Sequence, residues 1–115
     1  MTPLRKGTYW ASIAVSPAEL EAAQCLRTKA FHTGPKGAQT EPVDRDCYDQ
    51  GCAHMVIKDS SSGGLVCCFG LLPIFDRTTI AQSYSAQYYE LSGLQSYPHP
   101  MIEIGRFCID PAAYD

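Results

Sequence analysis

Two charged residues, Glu103 and Arg106, stand inside the otherwise apolar run Met101–Ile109, Met-Ile-Glu-Ile-Gly-Arg-Phe-Cys-Ile. A carboxylate and a guanidinium in such a run must be paired or open to a cleft, because burying an isolated charge is too costly. Three residues apart, they point to opposite faces of a regular strand. Gly105 lies between them and is a natural place for a bulge, which would turn both toward one side. Two readings follow from these residues alone: a structural ion pair, and a functional site built around a carboxylate and a guanidinium.

Other reactive types are more scattered. The segment from His32 to about Gly51 has no hydrophobic periodicity and carries Gly34, Pro35, Gly37 and Pro42. A structureless loop of that length in a small domain is normally functional or disordered. Its second half is acidic, with Glu41, Asp44, Asp46 and Asp49 around Arg45 and Tyr48; a solvated loop has the same composition. Arg27, near the end of an expected helix, is placed where a cation complements the helix dipole. Cys47, Cys52 and His54 have the outline of half a metal site, but no second Cys/His pair with zinc spacing follows, so no metal is expected. A covalent mechanism with Cys108 as nucleophile and His54 as base lacks a third group to complete it.

The elements that must position these residues are legible in part. The chain of 115 residues allows one domain, expected over residues 1–115, and its apolar and charged fractions of 45% and 18% are those of a globular chain. A net charge of −3, with no block of Lys or Arg, gives no reason to expect nucleic acid. No apolar run approaches membrane-spanning length and the N-terminal residues do not resemble a signal peptide, so a cytoplasmic location is expected. On that basis the six cysteines are expected to be reduced, most of them acting as small hydrophobes.

Thr8–Val15 is expected to be a first strand. Ser16-Pro17-Ala18-Glu19 sets an N-cap, a proline at the first helical position and a capping-box glutamate, opening a helix Pro17–Phe31. Leu20, Ala23, Leu26, Ala30 and Phe31 would form its buried stripe. His54–Asp59 and Leu65–Ile74 flank a Ser-Ser-Ser-Gly-Gly turn and predict a hairpin. Tyr88–Leu91 is a candidate strand fragment. The expected fold is α+β with a three-layer tendency, in the order β-α-loop-β-β-loop-β, on a mixed sheet. Met101–Ile109, apolar on both faces, would be central and followed by a covering helix. The sequence instead ends at Asp115, so the chain is expected to be the N-terminal part of a larger fold, or one completed by dimerisation.

Four motifs in order carry a resemblance: Leu26-Arg27-x3-Phe31, the acidic Asp44-x4-Asp49 loop, Phe69-Gly70-Leu71-Leu72-Pro73 and Glu103-Ile104-Gly105-Arg106-Phe107. From about Thr8 to Pro111 the chain resembles the autoinducer-synthase-like branch of the GNAT acyltransferases, which holds the N-acyl-homoserine lactone synthases and the ornithine-lipid N-acyltransferases. Tyr88–Leu94 leans toward the ornithine side. The family pattern has arginine where this sequence has Gly70. The resemblance implies transfer of a fatty acyl group from acyl carrier protein or acyl-CoA to a small amine acceptor. It implies Glu103, Gly105 and Arg106 as catalytic residues, Glu103 orienting or deprotonating the amine and Gly105 marking the oxyanion donor. It also implies Arg27, Phe31, Asp44, Asp46, Asp49 and Phe69 as substrate-binding residues, with Phe31 anchoring a lid. A non-catalytic module and a small acetyl-CoA-dependent acetyltransferase are the alternatives.

Overall fold

A computed structural model describes residues 2–31, 45 and 48–113. Its frame is a five-stranded sheet of β1 (Leu4–Lys6), β2 (Tyr9–Ile13), β3 (Ala53–Asp59), β4 (Leu65–Ile74) and β5 (Met101–Ile109), hydrogen-bonded in that spatial order. One long helix, α1 (Pro17–Phe31), packs across β3, β4 and β5, and a short helix, α2 (Arg77–Ala81), follows β4. The α+β class is as expected. Every pairing among the described strands is antiparallel, rather than mixed.

Local chemistry accounts for most boundaries. Ser16 Oγ accepts from the Glu19 N–H at 3.2 Å, and the Glu19 carboxylate reaches back to the Val15 N–H at 3.5 Å, so the helix begins at the expected proline. The β3–β4 turn is held by Asp59, whose carboxylate accepts from the N–H and hydroxyl of Ser61, while Gly63 takes a φ of 73° that suits glycine. The expected first strand is in fact the second arm of a hairpin: Lys6 pairs with Tyr9 across Gly7-Thr8, and Gly7 sits at φ 60°. Three exposed residues make up β1, too short and too polar to leave a hydrophobic pattern. Helix α2 is capped by Asp76, which accepts from the Thr79 N–H at 2.9 Å.

Tyr88–Leu91 is not a strand. The N–H groups of Tyr88 and Tyr89 both bond to the Ser85 carbonyl, and single 3-10 turns at Ser85–Gln87 and Ser92–Leu94 bracket the segment. These two N–H groups are spent on a local turn rather than on a ladder.

The core joins Ala23 and Leu26 of α1 to Val56, Cys68 and Cys108, with Ala14, Ala30 and Leu65 packed around it. β5 lies at the edge of the described sheet rather than its centre. Ile102, Ile104 and Phe107 are more than half exposed, because α1 covers only the opposite face. No described helix is long and apolar enough to cross a membrane.

Candidate functional site

The register between β4 and β5 shifts once. Cys68 pairs with Cys108, but Gly70 pairs with Gly105, so Phe69 faces two residues, Arg106 and Phe107. This is a bulge, and Arg106 bears it with a φ of 55°, in the left-handed region that costs a non-glycine residue about 1–2 kcal/mol. The bulge anticipated at Gly105 thus sits one residue later. Its effect is the anticipated one: Glu103, Gly105 and Arg106 line one cleft.

That cleft lies between α1, β3, β4, β5 and the Ser83–Tyr88 turn and is narrow, with a cavity volume of about 20 Å³. Its walls are Arg27, Tyr48, Asp49, Cys52, His54, Leu72, Tyr84, Glu103 and Arg106, with Gly70 and Gly105 contributing only backbone. At one end Arg27 grips Asp49 with two parallel bonds, Nη1 to Oδ1 at 2.7 Å and Nη2 to Oδ2 at 2.9 Å. Both side chains are buried, at 3% and 8% exposure, which makes this a desolvated bidentate pair rather than a surface bridge. Gln24 donates to Asp49 Oδ2 at 2.8 Å and accepts from Arg45 Nε at 3.3 Å. His54 Nε2 lies 2.7 Å from the Asp49 carbonyl oxygen. A carbonyl only accepts, so that nitrogen carries the proton.

At the other end Glu103 uses both carboxylate oxygens, accepting from the Tyr84 N–H and the Ser85 N–H at 2.9 Å each. It caps the turn that carries Tyr84, and Tyr84 stands edge-on to Tyr48 with ring centroids 5.4 Å apart. The Arg106 guanidinium lies over the rings of Phe31 and Tyr84, at 5.5 and 5.9 Å. Glu103 and Arg106 are therefore neighbours in the cleft, each engaged by other groups among the described residues.

Of the residues singled out from sequence, Arg27, Asp49, Glu103, Gly105 and Arg106 converge, and Phe31 stands beside them through Arg106. Phe69 does not join them. It points to the opposite face of the sheet and stacks on Phe107 at 5.5 Å between centroids. Asp44, Asp46 and Cys47 lie outside the described residues. Among the described residues no group of three or more His, Cys, Asp or Glu side chains is arranged to hold a metal ion. Cys108 is packed against Cys68, sulfur to sulfur at 3.4 Å, so its local partner is a second thiol and not His54.

Sequence reasoning passed over Gln24, Tyr48 and Tyr84. Gln24 had a legible signal, since Gln24, Arg27 and Thr28 follow helical spacing as a second, polar stripe beside the apolar one. Gln24, Arg27 and Thr28 are all buried. The tyrosines had none, because only the folding of two separate loops brings them to the cleft.

With this geometry in view, known proteins give a consistent answer. The family described as "Acetyltransferase (GNAT) domain" matches residues 26–114, most of the chain. The chain belongs to the GNAT acetyltransferase family. It is also similar to the L-ornithine N(alpha)-acyltransferase of Agrobacterium fabrum (strain C58), 30% identical over 122 residues that cover 93% of this chain. It spans 41% of the length of that curated relative. No solved structure matches the chain significantly. The GNAT match begins at Leu26 and includes every residue that lines the cleft.

Proposed function

We propose that this chain supplies the acceptor side of an N-acyltransferase, which moves a fatty acyl group from a thioester donor to the amine of an amino-acid-like acceptor. The observation that carries the reading is the convergence of Glu103, Gly105, Arg106 and the Arg27–Asp49 pair on one cleft at a bulged strand. Membership of an acyltransferase family and similarity to an ornithine acyltransferase support it. The donor is acyl-CoA or acyl carrier protein, and the branch is the autoinducer-synthase-like one, on its ornithine side.

In such a transfer the amine loses a proton and its lone pair attacks the thioester carbonyl; the thiol then leaves with the electrons of the broken C–S bond. Glu103, held by two N–H groups, keeps a carboxylate at a defined place beside the cleft. It orients the cationic amine and takes its proton, directly or through water. The oxyanion is met by backbone N–H of β5 near the bulge, where Gly105 lets a carbonyl come close to the chain. Asp49 is not a base here: both its oxygens are engaged by Arg27, and the pair instead fixes the wall against which the acceptor packs.

The test is acyl transfer by the full-length protein, with fatty acyl-CoA and acyl carrier protein donors and a panel of amines that includes L-ornithine. Turnover that is lost in Glu103→Gln, with the fold intact by circular dichroism, is the expected result. Full turnover in that variant would falsify the assignment of Glu103.

A further inference from the structure

β5 by itself does not decide where the Arg106 guanidinium goes. The left-handed φ of 55° takes Arg106 out of the strand's regular alternation, so its side chain is aimed by what surrounds it. The guanidinium lies over two rings: Phe31, half-exposed at the end of α1, and Tyr84, which also lines the cleft. Tyr84 belongs to a turn that is anchored without its ring. Buried Ser83 donates to the Ile80 carbonyl at 2.8 Å and accepts from the Ala86 N–H at 3.2 Å, and the Tyr84 carbonyl accepts from the Gln87 N–H at 3.2 Å. The N–H groups of Tyr84 and Ser85 both go to Glu103. The ring is not needed for any of these bonds. It meets Arg106 at 5.9 Å, Tyr48 at 5.4 Å and Tyr88 at 5.6 Å.

We infer that Tyr84 is a positioning residue for the acyl transfer, whose backbone fixes Glu103 and whose ring fixes Arg106. This rests on the acyl-transfer reading above and adds how its two charged groups keep their relative places. Both charges stand on β5, which is paired on one side only in the described sheet and is bulged at Arg106. Such a strand is a poorly restrained base for two groups that must act together. Tyr84, from a separate segment, contacts both of them through different atoms. A guanidinium over a ring is held by its face, so this contact uses none of its N–H edges. The ring is braced in turn. Tyr48 stands edge-on to it, and Tyr48 immediately precedes the Asp49 that Arg27 grips. Tyr84 therefore links the charged end of the cleft to the ion-paired end. A misplacement of about 1 Å in a reacting constellation costs about a hundredfold in rate, so the loss of such a ring falls on kcat more than on KM.

The experiment compares Tyr84→Phe and Tyr84→Leu with wild type in the full-length protein, by steady-state kinetics with L-ornithine and a fatty acyl-CoA and by NMR of the arginine Nε–H groups. The Arg106 signal is assigned by its loss in Arg106→Lys. Tyr84→Phe keeps the ring; Tyr84→Leu removes it but leaves the backbone N–H that Glu103 accepts. The expected result for Tyr84→Phe is a kcat and an Arg106 signal close to wild type. In Tyr84→Leu the Arg106 signal moves toward that of a solvated arginine, and kcat falls by about tenfold to a hundredfold while both KM values change far less. Amide protection at positions 84 and 85 stays as in wild type. A Tyr84→Leu variant that loses melting temperature but keeps kcat, or whose Arg106 signal does not move, overturns the inference while leaving the acyltransferase standing. So does an equal loss of kcat in Tyr84→Phe, which would assign the effect to the hydroxyl. Absence of wild-type turnover with every amine and donor tried removes the acyl-transfer reading, and this role with it. Should Tyr84→Leu fold poorly, Tyr84→Met decides in its place, because methionine fills irregular space without a ring.

Discussion

Arg27 and Asp49, 22 residues apart in sequence, form a bidentate ion pair that is buried on both sides. It ties the last turns of α1 to the turn that leads into β3. A third side chain, Gln24, bonds the same carboxylate at 2.8 Å. Buried pairs of this kind add little net stability compared with well-packed apolar residues, yet removing one partner leaves a charge stranded out of water. The pair therefore acts chiefly to fix one arrangement of the cleft wall.

Asp49→Ala is expected to cost about 3–5 kcal/mol of unfolding free energy, because Arg27 stays buried without its carboxylate. The double variant Arg27→Met/Asp49→Leu should cost less than the sum of the two single changes. Urea unfolding of the three variants checks both statements; a cost for Asp49→Ala under about 1 kcal/mol would show the pair to be solvated.

Glu103→Gln replaces one acceptor oxygen by an NH2 group, which cannot accept from the Tyr84 or Ser85 N–H. One of the two bonds that hold the turn is lost, and because these donors are only part-buried the cost is about 0.5–1.5 kcal/mol. Amide exchange at Tyr84 and Ser85 should rise in the variant, with smaller changes in β3. If those amides keep their protection while turnover disappears, Glu103 acts on the substrate rather than by holding the turn.

Thiol reactivity should separate the cysteines cleanly. Cys25 is exposed on α1, whereas Cys67 and Cys68 are buried. The hydrogen bond with Cys108, and then burial, push the Cys68 thiol far above its usual range; burial raises Cys67. Thiolate is the reactive form. Iodoacetamide at neutral pH should label Cys25 in the native protein and leave Cys67 and Cys68 unmodified until denaturant is added, as peptide mass spectrometry reads. Native-state labelling of Cys68 at the rate of Cys25 would contradict this packing.

Lys29 reaches Asp110 at 2.8 Å, joining α1 to the end of β5. The Lys29 hydrogen bond, helped by the Ala112 N–H, holds the Asp110 carboxyl below its usual pKa. A depressed folded-state value means the contribution to stability is present at neutral pH and fades as pH falls below about 4, toward the folded-state pKa. Asp110→Asn should thus lower the melting temperature slightly at pH 7, with an effect that shrinks progressively as the pH is taken below about 4. The lysine is half exposed, so the effect is small. A destabilisation that does not shrink at all as the pH is lowered through the acid range would assign it to something other than charge.

Much of this molecule is written in local chemistry. The capping box at Ser16 and Glu19 and the runs Leu65–Ile74 and Met101–Ile109 gave helix and strand bounds that the structure reproduces. Each depends on residues within one turn or one strand. The convergence of Glu103 and Arg106 was also legible, because a glycine between two charges in a strand signals a bulge. Tertiary structure alone decided three other things. The bulge fell on Arg106 rather than Gly105, since the β4–β5 register sets which residue is extra. Phe69 went to the far face of the sheet, because strand alternation is absolute once Cys68 and Gly70 face α1. β5 became an exposed edge in the described sheet, although its residues are apolar on both sides. Composition records what a strand can tolerate against either face; only packing records what covers it.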